Sequence, residues 1–90
     1  MKRVKVLIFG RVQGVSFRSF IKHKAISLSL KGYVKNLASG EIEAVFQGKD
    51  KAIKEIIDYC KKGPLSSKVI DIKIIEESYK TEFNGFEIRL

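Results

Sequence analysis

The sequence predicts an α+β sandwich, one antiparallel sheet carrying two helices on a single face, and three observations predict it. Period-two and helix-period runs follow one another in the order βαββαβ, with a small extra strand. A chain of 90 residues suits one domain and leaves no room for a second. Hydrophobic residues make up 44% and charged residues 31%, which permits a buried core inside a solvated surface.

Val4, Val6 and Ile8 alternate with Lys5, Leu7 and Phe9, so both faces of this first strand are largely apolar, as in a central strand. A loop from Gly10 to Ser16 leads into a helix whose apolar residues, Phe17, Phe20, Ile21, Ala25 and Leu28, share one face. Residues Gly32 to Leu37 and Glu41 to Gln47 read as a hairpin that turns at Ala38-Ser39-Gly40, with Gly40 available for a positive φ. Asp50 is placed to cap a second helix with the stripe Ile53, Ile56, Ile57 and Cys60. Lys61 and Lys62 fall in its last turn and Gly63-Pro64 stops it. Val69 to Ile75 forms a further strand with Ile70, Ile72 and Ile74 on one face, and Phe86, Ile88 and Leu90 alternate in a short last one. With right-handed crossovers the order closes into a ferredoxin-like βαββαβ sandwich, a single domain over residues 1–90.

The formal charge of +8 favours anionic partners, but the lysines are spread along the chain and read as a solvated surface. After Met1-Lys2-Arg3 the apolar run is short and ends at Gly10-Arg11, so neither a signal peptide nor a membrane span is expected and the cytoplasm is the expected location. The single cysteine, Cys60, excludes an internal disulfide and a thiolate zinc site. With Ser66 six residues on, it also lacks the Cys-x5-Arg loop of cysteine phosphatases. His23, flanked by Lys22 and Lys24, reads as a surface residue. Asp50, Glu55, Asp58, Glu76 and Glu77 match no metal-ligand pattern, so neither metal nor cofactor is expected.

The stretch from Gly10 to Arg18 carries the chemistry. A loop with glycine at both ends, running from a strand into a helix, can aim its amides and the free amides of the helix start at one anion. The glycine spacing is not that of a Walker loop, and no Lys-Ser or Lys-Thr pair closes it. Arg18 falls in the first helical turn, where a cation opposes the helix dipole at a cost of about 0.3–1 kcal/mol. A bound dianion would reverse that cost, because a planar guanidinium can hold two phosphate oxygens.

The segment Gly10-Arg11-Val12-Gln13-Gly14-Val15-Ser16-Phe17-Arg18 resembles the first signature of the acylphosphatases. Gly32-Tyr33-Val34-Lys35-Asn36, followed by Gly40, Ile42 and Gly48, resembles the second at the family's spacing. The two in register are far more specific than either alone. The resemblance implies an enzyme, without metal or cofactor, that hydrolyses acyl phosphates to a carboxylate and inorganic phosphate by in-line attack of water; a monomer is the default expectation, since the sequence is silent on oligomeric state. It implies two catalytic residues, Arg18 binding phosphate and Asn36 orienting the water, and a phosphate loop made of Val12, Gln13, Gly14, Val15, Ser16, Phe17 and Arg18. The chain departs from the family pattern at Ser16, at Ser39 before the turn glycine, and at Ile42; none of these is one of the implied catalytic pair.

Two alternatives compete. A basic RRM-like module shares the βαββαβ order, and Lys31-Gly32-Tyr33 begins like its main motif. Val34, Lys35 and Ala38 then stand where its glycine and stacking aromatics belong, so no specific nucleic-acid partner is expected. The other alternative is a carbamoyl-phosphate-handling unit such as larger maturation proteins contain, for which the same anion cradle would serve.

Overall fold

The computed structural model describes residues 1–90. The elements are β1 (Lys2–Arg11), α1 (Phe17–Ser27), β2 (Lys31–Asn36), β3 (Ile42–Gly48), α2 (Asp50–Lys62), β4 (Lys68–Glu77) and β5 (Phe86–Arg89). They build a five-stranded sheet in the order β4-β1-β3-β2-β5. β1 lies inside the sheet, paired antiparallel with β3 and β4; Val4, Val6 and Ile8 are buried towards the helices, while Lys5, Leu7 and Phe9 are half-buried on the opposite face. β2 and β3 form the expected hairpin, and its turn uses Gly40 at φ 109°.

The core sits between the sheet and the helices. Val4, Val6 and Ile8 of β1, Ile42, Ala44 and Phe46 of β3, Phe17, Ile21 and Ala25 of α1, and Ile53, Ile56 and Cys60 of α2 are all buried. Each of the larger side chains contributes about 1.5–3 kcal/mol by leaving water. The same stripes therefore determine both the helix faces and how the helices lie on the sheet.

Four expectations are corrected. The sheet is mixed, since β5 pairs with β2 in parallel. Ile70 does not share the face of Ile72 and Ile74, which pair with Ile8 and Val6. A bulge between Phe9 and Gly10 shifts the β1–β4 register so that Val69, not Ile70, faces Gly10, and Ile70 is left 73% exposed on an edge strand. The close approach there needs glycine: a Cβ on Gly10 would lie 2.1 Å from the Lys68 carbonyl oxygen. The N-cap of α2 is Lys49, and Asp50 sits instead in the first turn, where a carboxylate favours the dipole. Leu28 ends α1 as its C-cap, with its N–H bonded to the Lys24 and Ala25 carbonyls.

The face of the sheet away from the helices holds charge and not a stacking platform. Glu43 accepts a hydrogen bond from the Tyr33 hydroxyl at 2.8 Å, and the Arg89 guanidinium lies 4.1 Å above the same ring. Phe83 is covered by Arg3 at 4.9 Å, while Arg3 itself pairs with Glu77 at 2.9 Å and with Glu82. Aromatic rings capped by guanidinium groups offer no bare ring to a base, which disfavours the RRM-like alternative.

Candidate active site

The loop between β1 and α1 is built by backbone conformation. Gly14 at φ 75° and Ser16 at φ 60°, ψ 25° both occupy the left-handed region, and alternation of such residues with right-handed ones turns successive N–H groups to one side. Ser16 is also the N-cap of α1, yet its side chain makes no cap hydrogen bond and the first turn holds no acidic residue. As a result no backbone N–H from Val12 to Ser19 donates to any group of the protein, the first bond of the helix being that from Phe20 to the Ser16 carbonyl. Free amides at a helix start are groups of the kind that can bind an anion.

These residues border a cleft of about 450 Å³, the size of a small-molecule site. Val12, Gly14, Ser16, Phe17, Arg18 and Ser19 come to it from the loop and α1, Asn36 from the end of β2, and Ile88 and Leu90 from the C-terminal strand. The structure thus brings Arg18 and Asn36 together with most of the predicted loop. Gln13 and Val15 do not line the cleft. The Gln13 carboxamide turns away and donates to the Leu37 carbonyl at 2.8 Å and the Glu41 carbonyl at 3.1 Å, fastening the loop to the hairpin turn. Val15 packs against the core.

Arg18 has no carboxylate partner, since every ion pair of the protein lies elsewhere. Its charge is therefore free to meet an anion at the loop amides. The Asn36 side chain makes no hydrogen bond, and its Oδ1 is buried without a partner. Such an orphaned acceptor costs about 1–3 kcal/mol unless a donor arrives.

Other reactive side chains stay away from the cleft. His23 is exposed on α1. Cys60 is buried beneath α2, where desolvation pushes its thiol up to about 12. No group of three or more His, Cys, Asp or Glu side chains converges on a point. The sequence did not single out Ser19, Ile88 or Leu90 for the site. The last two reach it only through the parallel pairing of β5 with β2, which no local pattern records.

Comparison with known proteins gives one family. A family model described as Acylphosphatase matches residues 4–88. A curated acylphosphatase from Aeropyrum pernix is 44% identical over 88 residues, covering 97% of this chain and 87% of that protein. The crystal structure of acylphosphatase from Bacillus subtilis superposes with a TM-score of 0.96 at 33% identity, over the whole of both chains. Full-length HypF, in a phosphate- and nucleotide-bound form, contains a similar unit, with a TM-score of 0.90 and 34% identity over 98% of this chain but 12% of HypF.

Proposed function

The chain belongs to the acylphosphatase family, a hydrolase of acyl phosphates, and from that premise we propose that Arg18, Asn36 and the loop amides carry the reaction. In this reading the amides from Val12 to Arg18 bind the phosphoryl oxygens and Arg18 takes two of them in its guanidinium fork. The Asn36 carboxamide hydrogen-bonds the attacking water and holds it in line with the scissile P–O bond. The water oxygen bonds to phosphorus, the P–O bond breaks, and its electron pair leaves with the carboxylate. The water's proton passes to a phosphoryl oxygen, since an asparagine cannot take it. A carboxylate leaves without help from a strong acid, so catalysis reduces to positioning and charge neutralisation.

The observation that carries this reading is the coincidence, in one cleft, of an unpaired arginine, a row of free amides and a buried orphan carbonyl oxygen. The test is hydrolysis of benzoyl phosphate in EDTA, followed by release of inorganic phosphate. Turnover by the unaltered chain, with Arg18→Ala and Asn36→Ala folded but inactive, supports it; unchanged turnover in either variant overturns the corresponding role.

The chain is further read as a monomer of the cytoplasm that needs no cofactor. Mutual repulsion at a net charge of +8 supports the monomer, and light scattering at moderate salt tests it. The single buried thiol suits a reducing compartment, and no helix is long and apolar enough to cross a membrane. Attraction to nucleic acid is read as non-specific, to be lost by moderate salt.

A further inference from the structure

We propose that Asn84 and Gly85 form a self-modification site, at which the Asn84 carboxamide closes on the Gly85 nitrogen and converts residue 84 to aspartate or isoaspartate just where β5 begins. The inference stands independently of the catalytic reading.

The two residues link anchors on opposite faces of the sheet. Phe83 is buried against the face away from the helices, edge-on to the Tyr33 ring at 6.1 Å and covered by Arg3 and Arg89. Phe86 is buried on the helix side, stacked on Phe46 at 5.5 Å within the core. The chain passes from one face to the other between them, and Asn84 and Gly85 are both exposed there. The Asn84 side chain makes no hydrogen bond, and the Gly85 N–H donates to no group of the protein. A Cβ built on Gly85 would meet nothing within 4 Å, so neither a side chain of its own nor a neighbour shields that nitrogen. Asn36, the other asparagine of the chain, is placed in the opposite way. Its Oδ1 is buried, and the next N–H, that of Leu37, is already bonded to the Glu41 carbonyl at 2.9 Å.

The Gly85 nitrogen gives its proton to hydroxide and attacks Asn84 Cγ. The N–Cγ bond forms, the Cγ–Nδ2 bond breaks, and Nδ2 takes a proton from water and leaves as ammonia. Water then opens the cyclic imide. Cleavage of the new N–Cγ bond leaves aspartate, whereas cleavage between the nitrogen and the main-chain carbonyl leaves isoaspartate, whose main chain runs through Cβ and Cγ and is one carbon longer. With Phe83 and Phe86 both held, that extra length falls on Gly85, whose carbonyl accepts the bond from the Gly32 N–H at 2.9 Å beside the start of the β2–β5 pairing. β5 has only four residues, so this bond is a large part of what holds it.

The test holds the folded full chain in mildly alkaline buffer, maps its peptides by mass spectrometry and reads isoaspartate by enzymatic methylation. A gain of about one dalton and a methyl label are expected at residue 84 and not at Asn36, faster than in mildly acidic buffer. Asn84→Gln should abolish both, because the larger ring closes slowly, and Gly85→Ala should slow them several-fold by crowding the nitrogen. The isoaspartate fraction, separated by ion exchange, should melt about 4–8 °C below the fresh chain, the shift that loss of one hydrogen bond produces in a domain of this size. Asn84→Gln held in the same buffer should keep its melting temperature. Modification that appears only in denaturant, or that proceeds equally at Asn36, overturns the site. An isoaspartate fraction that melts with the fresh chain overturns the effect on β5.

Discussion

Gln13 Nε2 donates to the Leu37 carbonyl at 2.8 Å and so joins the phosphate loop to the residue that follows Asn36. With the second bond, to Glu41, it spans the hairpin turn and sets the distance between the two halves of the site. Gln13→Leu removes both bonds but keeps a side chain of similar size. It should cost about 1–2 kcal/mol of stability and lower kcat/KM for benzoyl phosphate about tenfold. Chemical denaturation and steady-state kinetics on the same preparation check both numbers.

Arg18→Ala removes the only side-chain cation lining the cleft. Loss of about 10²–10³-fold in kcat/KM is expected, together with loss of competitive inhibition by inorganic phosphate. Arg18→Lys should restore only part of either, since an ammonium cannot hold two oxygens in a fixed plane. Inhibition constants for phosphate in the three proteins separate lost binding from lost folding.

Asn36→Ala should behave differently from an ordinary polar deletion. The side chain has no hydrogen bond to lose and an unpartnered buried oxygen to shed, so thermal stability is expected to hold or rise slightly. Activity should fall by about 10²-fold or more through kcat, because the water is no longer aimed. A marked drop in melting temperature would show that Asn36 serves the hairpin and not the reaction.

Ser16 occupies the left-handed region without a side-chain cap bond to compensate. A non-glycine residue there costs about 1–2 kcal/mol, and the greater freedom of an unfolded glycine takes back about 0.4–1 kcal/mol of any gain. Ser16→Gly is therefore expected to stabilise the protein by about 0.5 kcal/mol with little change in KM. Gly14→Ala, at φ 75°, should destabilise it. Denaturation midpoints of the two variants, moving in opposite directions, are the check.

Alkaline pH should loosen the fold through two groups whose protons the folded state holds more tightly. Burial, with the Glu43 hydrogen bond, pushes the Tyr33 phenol from 10.0 up to about 12, and burial alone pushes the Cys60 thiol from 9.0 up to about 12. In both the folded pKa lies above the unfolded one. Their contribution is therefore complete below pH 9, declines first through Cys60 and from pH 10 also through Tyr33, and is gone above pH 12. Melting temperatures across this range should fall, and Tyr33→Phe should flatten the part of the slope above pH 10. A thiol reagent at neutral pH should leave Cys60 unmodified until denaturant is added.

The helices and the four antiparallel strands were legible because each writes its burial as a period, as Ile53, Ile56 and Cys60 do for α2. The fold's edges were less legible. At β4 the period-two run put Ile70, Ile72 and Ile74 on one face, and the bulge opposite Gly10 removes Ile70 from the face that Ile72 and Ile74 share. Asp50 was misplaced by one position at the α2 cap, a boundary that propensity alone does not resolve.

The sequence by itself determined the order of elements, the glycine-punctuated loop and the two signatures that hold Arg18 and Asn36. These depend on neighbours within a few residues, and local chemistry records them. Only the tertiary structure decided that the loop amides have no acceptors, that Asn36 Oδ1 is orphaned, and that Gln13 ties loop to hairpin. It alone brought Ile88 beside Val34, residues 54 positions apart, through a parallel strand pairing. Contacts between distant segments follow from how the apolar stripes of the whole chain pack at once, and no single stretch of sequence contains them.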